Sequence, residues 1–366
     1  MKKRLSAFIR ENSIFFPFLL ILLIFLPVFP QKIKDYPKFV DWKTIITLFG
    51  LLIITNGIKE SSFLRFISRK YLVKIKNERL LALYFILLAS IFSMILTNDI
   101  ALFIIVPLTV SFQEILKNDL KKIVIFEAIA VNVGSTLTPI GNPQNLFLWH
   151  RWDIPFLRFM LNVFPLFIIM FSLLILLTFF VFKNKSLIFK PDNSIPKTEK
   201  NLFYFSLSLL IIFVISIEAD FYLIVLIVFI LFLLFFRKTL SSVDYPLLIL
   251  FIIMFIDFHL LSEVSAVSIL LKSANLSNPK NLFLSSIAFS QIMSNVPASI
   301  FISKFSNNWK IITYGVNVGG NGLLYASLAN IIALRFIKDR KILIEYHKYS
   351  FFYLILSTIL TIALIF

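Results

Sequence analysis

The sequence predicts an all-α polytopic membrane protein of two inverted repeats, each with a re-entrant helical hairpin and an interrupted transmembrane helix. Three observations predict this class. Hydrophobic residues make up 59% of the 366 residues, charged residues only 15%, and phenylalanine alone accounts for 44 positions. Nearly uncharged runs such as 156–182 reach the roughly 20 residues that a bilayer crossing requires. Two related stretches, 131–145 and 316–330, interrupt apolar sequence with glycine and asparagine.

Nine segments are apolar and long enough to be interpreted as crossings, counting both interrupted helices. They lie near 14–30, 41–58, 121–149, 156–182, 201–217, 220–236, 246–260, 309–336 and 350–366. Segments 79–112 and 281–303 are apolar on both sides of a polar tip, which favours re-entrant hairpins. We therefore expect a first repeat at 1–182, a linker with a connecting transmembrane helix at 183–219, and a second repeat at 220–366.

The formal net charge of +17 is explained by topology. With the N-terminus in the cytoplasm, nine crossings put 26 of the 36 Lys and Arg residues on the cytoplasmic side, as the positive-inside rule requires. We interpret the basic start, Met1–Arg4, and the apolar run after it as a retained first span, because bulky residues and prolines replace a signal-peptide cleavage site. The sequence predicts a multi-pass protein of the cell membrane, with the lipid bilayer and no nucleic acid as its partner.

Several classes of site are excluded. The chain has no cysteine, and its histidines, His150, His259 and His347, are far apart. Gly319–Gly322 resembles a phosphate loop only superficially, since it lacks the Lys-Ser/Thr ending. No pair of nucleophile and base is visible, so we expect neither an enzyme nor a cofactor, apart from Na⁺ or H⁺ as a coupling ion.

The two polar stretches are related by an offset of 185 residues. VNVGSTLTPIGNPQN aligns with VNVGGNGLLYASLAN, with identities at the VNVG start and at the final asparagine. Six of the eight glycines lie in 131–145 and 315–330, where an interrupted helix needs backbone freedom. Each stretch follows a hairpin tip, Thr97-Asn98-Asp99 or Ser294-Asn295-Val296. The connecting span between the halves reverses the second one, and such inverted repeats with interrupted helices are typical of secondary transporters with a site at the bilayer midplane.

We expect substrate to be bound by amides and hydroxyls at the tips and breaks, aided by half-helix dipoles. The predicted substrate-binding residues are Asn98, Asn295, Ser294, Asn132, Thr136, Asn142, Asn317 and Asn321. No Lys or Arg lies in these elements near the expected midplane, so a monovalent, protonated or neutral oxyanion fits better than a fully ionised tricarboxylate. Asparagines and small polar residues also join transmembrane helices, and that structural interpretation stays open for these positions.

Asp99 is the predicted proton or cation carrier, since a carboxylate at an intramembrane tip is costly to bury. The alternative is a structural role as the partner of a buried amide or hydroxyl. The other residues assigned to ion coupling are Thr97, Ser135, Gly134, Gly319 and Glu127. Glu127 is either a second proton site or a helix-end carboxylate near the inner surface. Asp257 and His259 are interpreted as interfacial residues at the outer end of a span.

The segments LTNDIALFIIVPLTV, NVGSTLTPIGNPQNLFLW, SNVPASIFISKF and YGVNVGGNGLLYASLANIIALR resemble the ion transporter superfamily. This superfamily includes the arsenite permease and NhaD-type antiporter families, the citrate permeases and the divalent-anion/sodium symporters. The resemblance implies alternating access by a moving transport domain, often in a homodimer. The symporters carry Ser-Asn-Thr in both tips, whereas here the third positions are Asp99 and Val296, which disfavours dicarboxylate recognition and their sodium sites. The first tip is closer to the Asn-Asp tips of the arsenite permease group.

The sequence thus predicts a secondary permease for a small anion or oxyanion, of the arsenite or carboxylate class, coupled to H⁺ or Na⁺. A sodium/proton antiporter is the alternative, and a passive anion channel is a third hypothesis that the inverted repeats disfavour.

Overall fold

The computed structural model describes residues 15–72, 75, 77–115, 120–187, 198–265, 267, 274–337, 339 and 341–366. The basic segment Met1–Arg4 and most of the predicted linker before residue 198 lie outside the described residues. The described part contains helices and turns, with one isolated bridge between Asn77 and Ser186 and no named strand. The prediction of an all-α polytopic membrane protein is confirmed.

Eighteen α-helices are named in chain order among the described residues. They are α1 Phe15–Val28, α2 Tyr36–Phe39, α3 Trp42–Glu60, α4 Phe63–Leu72, α5 Glu78–Ile95, α6 Asn98–Ile115, α7 Lys121–Ser135, α8 Pro143–Arg151, α9 Phe156–Val181, α10 Lys200–Glu218, α11 Ile224–Phe235, α12 Arg237–Ser241, α13 Tyr245–Glu263, α14 Pro279–Met293, α15 Asn295–Ile302, α16 Trp309–Val318, α17 Leu328–Arg335 and α18 Ile342–Ile365. Two 3₁₀ helices, Pro30–Asp35 and Leu324–Ala326, complete the set.

Six described helices, α3, α5, α9, α10, α13 and α18, are long and apolar enough to cross a membrane. A seventh span is formed if α1 is joined to the segment after it, Pro30–Phe39, from which it is bent by 118°. The number of crossings, predicted as nine, stays a prediction because the interrupted helices and α11 are each shorter than a full span.

The ends of several helices differ from the sequence prediction. Helix α18 begins at Ile342, eight residues before the predicted 350, because its polar first turns continue the same helix. Helix α11 covers only Ile224–Phe235 of the predicted 220–236. The helix begins only at Ile224 because the chain before it forms a turn, in which Asp220 has φ +55°.

Two helical pairs form hairpins with polar tips. In hairpin 1, α5 packs against α6, and Leu96 and Thr97 form the tip. In hairpin 2, α14 packs against α15, and the single residue Ser294 separates them with φ +77°. These tips are where Thr-Asn and Ser-Asn interrupt apolar sequence. Whether the hairpins are re-entrant depends on the membrane and stays a prediction.

Two further pairs form interrupted helices. Broken helix 1 consists of α7 and α8, separated by residues 136–142, where Pro139 and Gly141 disfavour a helix. Asn142 then caps α8 by accepting a 2.9 Å hydrogen bond from the Asn145 amide nitrogen, with Pro143 at the first helical position. Broken helix 2 consists of α16 and α17, separated by residues 319–327, where Gly322 has φ +101°.

The two halves pack in the same way. The first arm of each hairpin lies against the first segment of its own broken helix, α5 on α7 and α14 on α16. The second segments cross over: α17 packs on α6 and α7, while α8 packs on α15 and α16. The two hairpins and the two broken helices therefore pack together in one bundle, and the hairpin tips and helix breaks lie at its centre. The inversion of the repeats across a membrane stays a prediction.

Candidate functional site

Asn132, near the end of α7, joins the two broken helices. Its Nδ2 donates hydrogen bonds to the Gly320 carbonyl (3.1 Å) and to Oδ1 of Asn330 (2.8 Å). Its Oδ1 accepts a bond from the Ser327 hydroxyl (3.1 Å), and Nδ2 of Asn330 also donates to the Gly320 carbonyl (3.0 Å). All of these side chains are buried. The end of α7 is thereby attached to both edges of the second break.

Asn317, near the end of α16, makes the matching connection in the other direction. Its Nδ2 donates to Oδ1 of Asn145 (2.7 Å), and its Oδ1 accepts from Asn142 (3.1 Å) and Thr136 (3.3 Å). Asn145 in turn donates to the carbonyls of three residues of the first break at 3.0–3.1 Å, namely Ser135, Thr136 and Thr138. Asn142 also donates to the Ser135 hydroxyl (3.0 Å). These bonds satisfy backbone carbonyls that an interrupted helix leaves free.

We call the set Asn132, Thr136, Asn142, Asn145, Asn317, Ser327 and Asn330 the amide network. Four of its members were predicted as substrate-binding residues from the sequence. Asn145 and Asn330 were not, although their identity at the offset of 185 residues was a usable signal. Because their amides hold the breaks together and pair with Asn317 and Asn132, they belong to the site.

The tip of hairpin 1 is attached to the first break. The amide nitrogen of Asn98 donates to the Gly141 carbonyl (2.8 Å), and the Thr138 hydroxyl donates to the Met94 carbonyl (2.6 Å). The side-chain oxygen of Asn98 accepts from the Asp99 amide nitrogen (3.0 Å). Thr97 Oγ1 and Asp99 Oδ1 are buried and have no hydrogen-bond partner. Two acceptor oxygens therefore remain available at this tip.

The tip of hairpin 2 offers a donor instead. Asn295 is 2% exposed and its Nδ2 has no hydrogen-bond partner. A Cβ atom added to Gly320 would lie 3.0 Å from this nitrogen and 3.7 Å from Cγ of Asn132, so the tip adjoins the amide network. Ser294 is half-buried, with its hydroxyl 3.4 Å from the Ala326 carbonyl. Asn321 is fully buried, and its Oδ1 has no partner.

Gln291, in the last turns of α14, connects hairpin 2 to the second break and was missed by sequence reasoning. Its Nε2 donates to the carbonyls of Gly319 (2.6 Å) and Asn321 (3.0 Å). Its Oε1 accepts from the Leu323 amide nitrogen (2.9 Å). A polar residue three positions before the Ser294 tip, in an otherwise apolar stretch, was the available signal.

The two glycines assigned to ion coupling lie at close helix contacts. A Cβ on Gly134 would lie 2.1 Å from the Ser90 carbonyl oxygen and 2.4 Å from Ser93 Oγ. A Cβ on Gly319 would lie 2.7 Å from Ser290 Cβ and 2.8 Å from its Oγ. Ser93 and Ser290 each lie four residues before their tip. The same glycine–serine contact therefore packs each broken helix on its own hairpin.

Glu127 lies away from the network, about 7.5 Å along the α7 axis from Asn132 at 1.5 Å per residue. It is fully buried, and its Oε1 accepts a hydrogen bond from the Thr109 hydroxyl of hairpin 1, while Oε2 has no partner. Both alternatives, a second proton site and a helix-end carboxylate near the inner surface, stay predictions.

Asp257, interpreted from the sequence as interfacial, is 1% exposed within α13, and neither carboxylate oxygen has a partner. Its position relative to the membrane interface stays a prediction. His259, two residues on, is partly exposed and faces a polar cluster at the end of the helix. Helix α13 continues to Glu263, beyond the predicted end of the span at 260.

The chemistry of the site follows from its donor and acceptor groups. Helices α6, α8, α15 and α17 begin at the tips or breaks, so four N-terminal ends with partial positive charge are directed at this region. The tips and breaks contain no Lys or Arg. Among the described residues no group of three or more His, Asp or Glu side chains is arranged to hold a metal ion. The site can therefore bind a small polar solute through amides, hydroxyls and helix dipoles.

The comparisons with known proteins agree with this architecture. The profile of the citrate transporter family matches residues 7–308. The chain is 38% identical to the inner membrane protein YbiR of Escherichia coli over 342 residues, 93% of this chain and 92% of that protein. It is 37% identical to the uncharacterized transporter MJ0456 of Methanocaldococcus jannaschii over 300 residues, 81% of each chain. A shorter match, 27% over 126 residues, covers 34% of this chain and 22% of the transporter arsB of Dictyostelium discoideum.

These matches confirm the resemblance to the ion transporter superfamily and the prediction of a membrane transporter that is not an enzyme. The match at 7–308 covers hairpins 1 and 2 and broken helix 1, and YbiR matches nearly the whole chain. The chain belongs to the citrate transporter family and is a multi-pass membrane permease.

Proposed function

We propose that this permease moves a small anion or oxyanion, of the arsenite or carboxylate class, coupled to H⁺ or Na⁺ by alternating access. One observation carries the proposal: buried polar groups without partners at the two tips adjoin the amide network. Asn295 offers an N–H donor, and Thr97 and Asp99 offer oxygen acceptors. Buried polar groups in native proteins are nearly always hydrogen-bonded, so free ones at a central break favour a ligand.

The charge of the site favours a weakly charged substrate. The tips and breaks lack basic residues, so an anion is held by amide donors and helix ends, while Asp99 opposes dense negative charge. The names of the relatives point to two candidates, citrate and, through arsB, an arsenic oxyanion. We favour the neutral or singly charged form of either.

The coupling ion is proposed to bind at the tip of hairpin 1. Thr97 Oγ1 and Asp99 Oδ1 lie beside the first break, where the Gly141 carbonyl already accepts from Asn98. A Cβ on Gly141 would lie 2.5 Å from the Ser135 carbonyl oxygen and 2.9 Å from that of Ser93, so carbonyl oxygens face this glycine. Such oxygens suit a hard cation such as Na⁺, and Asp99 alone suits H⁺.

The crossed packing of the two halves supports alternating access. Each second segment lies on the opposite hairpin, so a movement of one half alters the environment of the other half's tip. This is the arrangement expected of inverted repeats around a midplane site. A homodimer and a cytoplasmic N-terminus complete the proposal; accessibility of an N-terminal tag in oriented vesicles tests the latter.

A ligand-stability screen of the purified protein tests the substrate class. Arsenite, citrate, succinate, sulfate, phosphate and Na⁺ are added singly, and thermal unfolding is recorded, since a ligand that binds only the folded state raises Tm. We expect one anion to stabilise the wild type and Asn295→Ala to abolish this response. The matched control is Asn201→Ala at an exposed amide of α10. Stabilisation that persists in Asn295→Ala would contradict the proposed site.

A sodium/proton antiporter is the second candidate, favoured by the same two oxygens of Thr97 and Asp99. Proteoliposomes with a pH dye inside and no anion other than chloride separate the two functions. Proton movement driven by Na⁺ under these conditions would establish the antiporter. Movement that requires arsenite or citrate would favour the permease, and a current with no dependence on either cation would indicate a channel.

A further inference from the structure

Asp257 is a buried carboxyl group that the proposed site does not use. It lies on α13, 1% exposed, and both carboxylate oxygens are buried without a hydrogen-bond partner. Its neighbours Phe255, Ile256 and Phe258 are also buried. Phe258 packs on Phe18 of α1 and on Phe301 of α15. An ionised carboxylate in these surroundings would be desolvated with nothing to compensate it.

The surroundings of Asp257 favour a proton over a metal cation. Helix α13 packs against α1, α2, α3 and α15, and neither α1 nor α15 carries a charged residue. Tyr36 of α2 is close enough for an electrostatic interaction, and its hydroxyl is likewise buried without a partner. Hard cations require several oxygen ligands. A single proton neutralises the carboxyl group without further ligands.

A cluster of titratable side chains lies at the end of α13, beyond Asp257. His259 Nδ1 lies 2.8 Å from Lys304 Nζ, and His259 Nε2 lies 3.5 Å from Glu263 Oε1. Glu263 also pairs with Lys32 at 3.0 Å, and both side chains are about one-third exposed. The charged groups of α2 and the start of α3 are Asp35 and Asp41, just before the two helices, and Lys38 and Lys43, within their first turns; Lys59 and Glu60 lie at the far end of α3. This cluster lies within about two helical turns of Asp257 along α13, between the buried carboxyl group and the surface.

We propose that Asp257 is a further proton-binding site, distinct from Asp99 and Glu127, occupied while hairpin 2 packs on α13 and exchanged through the His259–Glu263–Lys32 end when that contact opens. Helix α15, the second arm of hairpin 2, carries Asn295 at its start, so the movement that exposes Asp257 also moves the substrate tip. The exchange step rests on the proposed function, since it requires that hairpin 2 moves during transport. The protonation of Asp257 itself does not rest on the proposed function.

Infrared spectroscopy of the purified protein tests the proton directly. A protonated carboxyl group has a C=O band distinct from the carboxylate bands, and we expect one such band at neutral pH to disappear in Asp257→Asn. Asp153→Asn, at an exposed position that forms an ion pair with Lys43, is the matched control and should leave the band in place. Tyr36→Phe should shift the band without removing it. Loss of a carboxylate band in Asp257→Asn would overturn the proposal.

Transport tests the exchange. With arsenite or citrate as probe, whichever the wild type moves in proteoliposomes, Asp257→Asn should make the pH dependence of the initial rate shallower by one titrating group. An unchanged pH profile would overturn the exchange step. If neither probe is moved, the proposed substrate class fails while the infrared result still decides the proton site. If Asp257→Asn does not fold, Asp257→Glu is used, and a displaced protonated band supports the assignment.

Discussion

Asn317 of broken helix 2 donates a 2.7 Å hydrogen bond to Oδ1 of Asn145 in broken helix 1. The two residues related to these by the offset of 185 make an equivalent bond in the opposite direction, from broken helix 1 to broken helix 2. Asn132 corresponds to Asn317 and Asn330 to Asn145, and Asn132 donates to Asn330 at 2.8 Å. Each broken helix therefore binds the other through the same pair of amides. This reciprocity supports a pseudo-twofold relation between the halves, because a chance network would not exchange equivalent partners.

The reciprocal amide pairs predict that substituting Asn145 or Asn330 lowers the free energy of unfolding. Asn145→Ala removes donors to three break carbonyls and the acceptor of Asn317, and Asn330→Ala removes the donor to Gly320 and the acceptor of Asn132. Leaving a buried polar group unsatisfied costs about 1–3 kcal/mol. We expect Asn145→Ala to lower the free energy of unfolding by about 1–3 kcal/mol. Asn330→Ala should lower it by less, because the Gly320 carbonyl still accepts from Asn132; denaturant titration in detergent measures both. Asn201→Ala should change it little, and a neutral result for either network variant would contradict the linking role.

Alanine substitutions of two glycines, Gly134 beside the first break and Gly320 in the second, are expected to differ in how strongly they disturb folding. In Gly134→Ala the new methyl group would lie 2.1 Å from a backbone oxygen of Ser90, which cannot move without shifting α5. In Gly320→Ala it would lie 3.0 Å from Nδ2 of Asn295, the end of a side chain that can rotate. We expect Gly134→Ala to give little folded protein by size-exclusion chromatography. Gly320→Ala should fold and lose the ligand-induced rise in Tm.

The opposite order of folding for these two variants would contradict the packing argument. A full ligand response in Gly320→Ala would show that the tip of hairpin 2 does not bind the ligand. Ser290→Ala provides a further control. It removes the oxygen near Gly319 and should be tolerated, because that hydroxyl donates only to the Ser286 carbonyl of its own helix.

The breaks and tips could be predicted from the sequence because glycine, proline and asparagine clusters stand out within apolar segments. The hydrogen-bond partners of these residues could not be predicted from the sequence. Asn145 and Asn317 are 172 residues apart, and which amide meets which depends on how the helices cross. Gln291 was missed for the same reason, since a single glutamine on an apolar arm does not indicate what it faces.

Asp99 predicts a separation of coupling from folding. Its Oδ1 has no partner, so Asp99→Asn removes the charge without breaking a hydrogen bond at that oxygen. We expect normal Tm and ligand binding, with ion-driven transport reduced by at least tenfold in proteoliposomes. Counterflow exchange of labelled substrate, which needs no ion gradient, should persist. Ion-driven uptake equal to the wild type would exclude Asp99 from coupling, and loss of Tm would indicate a structural role.

Gln291 predicts local opening of the second break. Gln291→Glu keeps the shape and the acceptor for Leu323 but removes the donor to the Gly319 and Asn321 carbonyls. The chain has no cysteine, so L323C reports accessibility of this segment without competing labels. We expect L323C to react faster with a water-soluble maleimide in the Gln291→Glu background. The free energy of unfolding should fall by about 1–3 kcal/mol, since two buried carbonyls lose their donor. Gln31→Glu, at an exposed position, should change neither quantity. Equal labelling in both backgrounds would mean that the amide network alone holds the break.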